Sequence, residues 1–229
     1  MAQDQIVTRT LEVSADDLSK EAVYLRLEDV DTFCDVSING HHVGSTNNRF
    51  CRWEWDVKQY LHVGKNTLEG RFQDAVAISE MAFDKLVTPA PLAGVGEVPH
   101  LNLIRKPLYH GGWDWGPKCM STGFLGTVEL IPVNTARIDY LDCDQNHSVE
   151  GQCTLTLKAE VTSPKGGKTV LKFSCGEKSK KVKVDLKAGK NVVVQTFVIK
   201  NPQLWWPAGM GDQHMYDISI DADGQTLTK

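Results

Sequence analysis

Apolar residues recur at every second position through much of the first third of the chain. Val23, Leu25 and Leu27 fall on one side and Tyr24, Arg26 and Glu28 on the other, the period of a half-buried antiparallel strand. Phe33, Asp35 and Ser37 then alternate with Cys34, Val36 and Ile38 as far as Asn39-Gly40. That dipeptide supplies the positive backbone angles of a tight hairpin, so His41, His42 and Val43 begin the return strand. Residues 6–13 are rich in β-branched side chains but lack a clean two-sided pattern, and Asp16, Asp17 and Ser19 suggest one helical turn after them. Trp53 and Trp55 share a face if extended. Residues 57–61 read as a single turn of helix with Asp56 as its N-cap. Gly64-Lys65-Asn66 turns the chain into a strand over 67–72, where Leu68, Gly70 and Phe72 alternate with Thr67, Glu69 and Arg71.

The pattern weakens from 73 to 99. A short helix over 76–83 is followed by irregular chain at Pro89-Ala90-Pro91 and Gly94-Val95-Gly96, a long connection of the kind that carries binding or lid elements. A strand over 127–131 closes the first unit and Pro132 marks a boundary. Six strands are then expected at 136–141, 153–161, 169–173, 180–186, 191–199 and 215–220. Turn signals at Asp144-Gln145-Asn146, 164–167, Gly176, Gly189 and Pro202 separate them. Strands this short and this regularly spaced indicate an immunoglobulin-like β-sandwich over 133–229.

A chain of 229 residues is comfortable for two domains. Hydrophobic residues make up 41% and charged residues 24%, so a folded protein is expected rather than a disordered one. The net charge of −4 does not suit nucleic acid. The Lys-rich run 178–183 alternates with Val182 and Val184, so its charges cover one strand face and discourage edge-to-edge pairing. No apolar run approaches the roughly 18 residues of a membrane span. The first five residues lack the basic and apolar parts of a signal peptide. The compartment stays open: cytoplasmic, or periplasmic, secreted or lysosomal if an export signal has been removed. The six cysteines lack short zinc spacing and read as buried free thiols, with a structural disulfide as the alternative. His41 and His42 point to opposite strand faces, so a shared metal ion is not expected, and no cofactor is assigned. Asn146-His147-Ser148 fits an N-glycosylation triplet without deciding anything.

One stretch stands apart, His110-Gly111-Gly112-Trp113-Asp114-Trp115-Gly116-Pro117. Gly adds backbone freedom and Pro removes a donor, so this is a shaped loop rather than helix or strand. Two large rings and one carboxylate suit a ligand that is part apolar face and part hydroxyl, and a sugar fits that description. Asp114 is the candidate to accept two hydroxyl donors in charge-assisted bonds. Trp113 or Trp115 would supply the apolar wall. The plainer alternative has one Trp packed beneath the loop and Asp114 capping local N–H groups. His110, Arg105 and Lys106 are weaker candidates that could instead orient the loop's carboxylate, while Gly111, Gly112 and Gly116 set its path.

The chain resembles the amino-terminal portion of the β-mannosidases of glycoside hydrolase family 2. The blocks that carry this are LEDVDTFCDVSINGHHVG (27–44), NRFCRWEWDVKQYL (48–61), RKPLYHGGWDWGP (105–117) and LWWPAGMG (204–211). The resemblance implies an all-β fold class: a jelly-roll-like, galactose-binding-type sandwich over 1–132, lacking its extreme N-terminal segment, then the immunoglobulin-like sandwich, truncated at its last strand. It also implies a (β/α)8 barrel elsewhere in the polypeptide, which would hold both catalytic glutamates. Retaining hydrolysis needs two carboxyl groups about 5–5.5 Å apart, and Glu54, Glu97, Glu129 and Glu160 lie on separate elements. No catalytic residue is therefore assigned here, and the chain is expected to be inactive alone. In the family the loop matching 112–116 helps shape the glycone pocket, so the implied partners are terminal β-mannosides or manno-oligosaccharides and the barrel itself. The aromatics of 204–207 should pack against the first module or the barrel. A stand-alone carbohydrate-binding module and an adhesion or scaffold protein built of two sandwiches are the competing readings.

Overall fold

A computed structural model describes residues 4–87 and 98–229. The irregular segments at 89–91 and 94–96, and Glu97, lie outside those residues. The chain divides into two compact units, Met1–Pro132 and Val133–Lys229. Both are built from β-strands arranged as sandwich-like sheets, with no closed barrel among the described residues.

The first unit runs β1 (Gln5–Val13), α1 (Ala15–Ser19), β2 (Ala22–Leu27), β3 (Val30–Asp31), β4 (Cys34–Ile38), β5 (His41–Thr46), β6 (Trp53–Asp56), β7 (Gly64–Phe72), α2 (Ala75–Asp84), β8 (Gly123–Phe124) and β9 (Val128–Val133). Its sheets have the orders β1-β7-β4-β5, β6-β2-β9 and β3-β8. The alternating residues Leu25, Leu27, Val36, Ile38, Leu68 and Phe72 meet in one core. β1 is an edge strand, and of its side chains only Val13 is buried; that is why residues 6–13 carry no two-sided pattern. At the hairpin Asn39 and Gly40 take φ of 50° and 79°, and Ile38 pairs with His41. A capping box between Ser14 and Asp17 starts α1, and Asp74 caps α2 by accepting from the Val76 N–H at 2.9 Å. Asp56 accepts from the Lys58 N–H at 3.1 Å, ahead of the short 3-10 turn Lys58–Tyr60.

Two elements have other bounds than expected, and the tryptophan pair shares a face as expected. Gly64-Lys65-Asn66 is not the turn but the start of β7, because the Asn66 amide binds the His62 and Gly64 carbonyls and moves the turn upstream. Pro132 is the last residue of the first unit, but the strand expected over 127–131 runs from Val128 to Val133, at a sheet edge where a missing N–H is tolerated. The tryptophans of β6 stack with ring centroids 6.1 Å apart, and a Cβ on Gly44 would lie 2.4 Å from Trp55, so Gly44 is where β5 makes room for the ring.

The second unit contains β10 (Arg137–Asn146), β11 (Gln152–Ser163), β12 (Gly167–Cys175), β13 (Lys178–Leu186), β14 (Gly189–Lys200), β15 (Ile218–Ala222) and β16 (Gln225–Thr228). The orders β10-β11-β14 and β13-β12-β15-β16 face each other across Leu141, Leu157, Leu171, Phe173, Phe197 and Ile220. The strand expected at 215–220 forms at Ile218–Ala222, and β16 is a seventh strand, joined to β15 through Asp223-Gly224 at φ of 51° and 82°. All six cysteines are free thiols, but Cys51 and Cys119 are exposed rather than buried.

Lysines of the β13 edge cover the edge of the opposite sheet. Lys178 Nζ donates to the Val198 carbonyl and Lys180 Nζ to the Thr196 carbonyl, each at 2.7 Å, beside the exposed side chains of Val192, Val194 and Val198. Unpaired strand edges flanked by apolar side chains invite pairing with another chain. The double substitution Lys178→Met/Lys180→Met should therefore make particle mass rise with concentration in light scattering. A mass that stays at the wild-type value would remove this role from the two lysines.

Candidate functional site

The loop after residue 110 is a tight corner. Trp113 and Gly116 exchange both backbone hydrogen bonds at 3.2 Å, which leaves Asp114 and Trp115 at the tip. Trp115 is 80% exposed and Trp113 41%, with ring centroids 5.1 Å apart and planes inclined by 55°. Asp114 is exposed between them. Large rings are normally withdrawn from water, so an exposed pair flanking a carboxylate sets this corner apart from the rest of the surface. Gly112 enters the corner at φ 91°, a conformation that favours glycine, and a Cβ there would meet Lys118 at 3.4 Å.

The base of the loop is held by buried charge. The 3-10 turn Leu108–Gly111 brings His110 inward, and the His110 carbonyl accepts the Cys119 N–H at 3.1 Å, closing the loop between its two legs. Asp31, wholly buried, ties both legs together. Lys106 on the entering leg donates to Asp31 Oδ1 at 2.6 Å, and the Ser121 hydroxyl on the leaving leg donates to Oδ2 at 2.6 Å. Thr32 Oγ1 adds a third bond to Asp31 Oδ1. Lys106 Nζ also donates to the Ser121 carbonyl at 2.6 Å. Arg49 lies alongside, bonded through Nε and Nη2 to both carboxylate oxygens of Asp29 at 2.5 and 3.3 Å, with Nη1 3.5 Å from Asp31.

Burial alone would push the Asp31 carboxyl up. The hydrogen bonds from Lys106, Ser121 and Thr32 outweigh it and hold the carboxyl below its ordinary value. His110 is pushed down, first by burial and then by the positive charges of Lys106 and Arg49, against the pull of Asp31 and Asp29. Imidazole is therefore the neutral partner in a cluster of two acids and two bases.

Of the residues singled out from sequence, Asp114, Trp113 and Trp115 stand together at the tip, and Gly112 and Gly116 shape it. His110 and Lys106 are buried beneath, and the carboxylate they approach is Asp31. Arg105 is exposed over the Phe50 ring at 5.6 Å, while its carbonyl accepts the Arg49 N–H at 3.0 Å. Asp31, Arg49 and Ser121 belong to the base of the loop but carry no motif that marks them in the sequence. Asp31 precedes Lys106 by 75 positions and Arg49 precedes His110 by 61, separations at which no local pattern links them. Glu54 and Glu129 come together on Arg26, each at 3.2 Å, so that pair is a structural ion cluster.

The chain thus holds two sandwich units, the first with a carboxylate between exposed tryptophans at the tip of one loop. Residues 1–126 match the family model described as the glycosyl hydrolase 2 galactose-binding domain-like, and residues 136–229 match that of the glycosyl hydrolases family 2. The chain belongs to glycosyl hydrolase family 2 and corresponds to its amino-terminal sugar-binding and immunoglobulin-like domains. It is 30% identical over 210 residues to β-mannosidase B of Emericella nidulans, covering 88% of this chain and 24% of that protein. Identity to the β-mannosidase of Rattus norvegicus is 28% over 216 residues, covering 87% and 24%. The crystal structure of β-D-mannosidase from Dictyoglomus thermophilum superposes with a TM-score of 0.83 at 26% identity, over 95% of this chain and 27% of that one. The exo-chitosanase of Amycolatopsis orientalis shares the fold, with a TM-score of 0.70 at 22% identity over 98% of this chain and 25% of that one. The chain spans about a quarter of the length of the curated relatives it matches. Among the described residues there is no (β/α)8 barrel, and no helix is long and apolar enough to cross a membrane.

Proposed function

We propose that these modules belong to a retaining exo-β-mannosidase that releases terminal β-D-mannose, and that the Trp113-Asp114-Trp115 loop forms part of its glycone pocket. The observation that carries the reading is the solvent-facing carboxylate between two rings on a loop whose base is fixed by buried charge. A mannose ring offers one C–H face to an indole and several hydroxyls to a carboxylate, so the tip matches it in both respects. The catalytic acid and nucleophile come from a barrel of the same polypeptide. The exposed Leu204, Trp205, Trp206 and Met210 of the second unit are the apolar surface on which further parts of that polypeptide would pack.

Calorimetry with mannose and β-linked mannobiose tests the tip directly. Wild type should bind weakly, and Asp114→Ala should lose about tenfold or more, the value of one hydrogen bond to a charged group. The side chain is exposed, so the melting temperature should stay unchanged. Equal affinities of the two proteins would remove Asp114 from sugar binding.

A further inference from the structure

His110 is placed so that it works in only one protonation state. Its Nε2 lies 3.1 Å from Arg49 Nη1, and a guanidinium has donors only, so Nε2 must offer its lone pair. The ring proton then sits on Nδ1, facing Ser121 Oγ at 3.3 Å and Asp31 Oδ2 at 3.5 Å. Ser121 gives its own proton to Asp31, which leaves its oxygen free to accept. Donors and acceptors match around the ring when it is neutral. The surrounding charges also balance, with Asp29 and Asp31 against Arg49 and Lys106. Tyr109 packs edge-on against the ring at 4.6 Å. The backbone of this same residue closes the loop through Cys119.

We propose that neutral His110 is the positioning residue for Asp114: a proton gained at Nε2 would set two donors face to face across the Arg49 contact, release the base of the loop and lower affinity for β-mannosides. This rests on the reading of the tip as sugar-facing. The transition lies below the ordinary imidazole value, since burial and the neighbouring cations oppose protonation. His110→Gln keeps an acceptor for Arg49 and has no proton to gain.

Nuclear magnetic resonance of the indole N–H groups, with mannobiose calorimetry from pH 7.5 to 4.5, tests this on the chain itself. The Trp113 and Trp115 signals should titrate with one midpoint, shared by the His110 ring protons of the wild type. Affinity should fall about tenfold for each pH unit below that midpoint, the slope of a single proton. Trp205 and Trp206 of the second unit serve as internal controls, and His110→Gln should hold both loop signals and affinity level. Loop signals that do not titrate, that keep a midpoint different from the His110 ring, or that titrate unchanged in His110→Gln would overturn the proposal. The ring comparison needs no variant, so it decides even if His110→Gln fails to fold. If the loop titrates with His110 while no sugar binds at any pH, the positioning role stands and the sugar-facing reading falls.

Discussion

Asp31→Asn should destabilise the first unit by about 3–5 kcal/mol, the cost of leaving a buried cation without its counter-ion. Lys106 is as fully buried as Asp31, so water cannot replace the lost charge. A loss of that size is a large share of the roughly 5–15 kcal/mol that holds a domain together. Hydrogen exchange in the strands of the first unit, followed through a urea titration, separates it from the second unit, whose transition should not move. Replacing the pair together, as Asp31→Leu/Lys106→Met, should recover part of the loss, because no uncompensated charge remains. Acid distinguishes the members of the cluster. His110 has a lower pKa folded than unfolded, so the unfolded chain takes up its proton first: the His110 contribution is complete above the ordinary value of 6.5 and is lost as pH falls towards the folded pKa. Asp31 is also lowered, from 3.8, so its contribution is present above that value and disappears only as pH falls through the folded pKa. Wild type should thus lose stability in two steps, and Asp31→Asn should lack the lower one. A variant as stable as wild type at pH 7.5 would mean that the loop legs are held by something other than this carboxylate.

Most of the fold was legible where a local rule acts alone. Val23, Leu25 and Leu27 alternate because β2 has one wet and one dry face, and Asn39-Gly40 turns the chain because both residues tolerate positive φ. Legibility fails where long-range pairing decides. β1 has neighbours on one side only and shows no two-sided pattern. Residues 202–217 carry strand-like aromatics yet form irregular chain bridged at Trp205 and Gln213, so β15 starts later than hydropathy suggests. The site divides in the same way. Its tip was legible, because two tryptophans and an acid among glycines are conspicuous in any sequence. Its foundation was not, because Asp31 looks like an ordinary acid beside a turn. Parity gave no signal either: the alternation of β2 breaks at Asp29, whose φ is 54°, and both residues of the short strand Val30–Asp31 are buried. A charge kept at a buried position implies partners, and sequence does not say that they stand on the two legs of a distant loop.

In a polypeptide that continues to the length of the curated relatives, Asp114→Ala should lower kcat/KM for an aryl β-mannoside by roughly 10²- to 10⁴-fold, following the function proposed for the loop. The figure comes from two charge-assisted hydrogen bonds to sugar hydroxyls, each worth about 1.5–3 kcal/mol in a site closed from water, at 1.4 kcal/mol per decade. Such bonds can tighten as the sugar flattens towards an oxocarbenium-like transition state, so kcat should fall along with any rise in KM. Asp114→Asn should lie between, since an amide offers one acceptor oxygen without charge. The Lys106 and Asp31 variants provide the contrast. They act through the position of the loop, so their losses in kcat/KM should track the loosening of Trp113 and Trp115, whereas Asp114→Ala should lose activity with both rings still in place. Wild-type kinetics for Asp114→Ala would show that the exposed tip serves something other than the glycone.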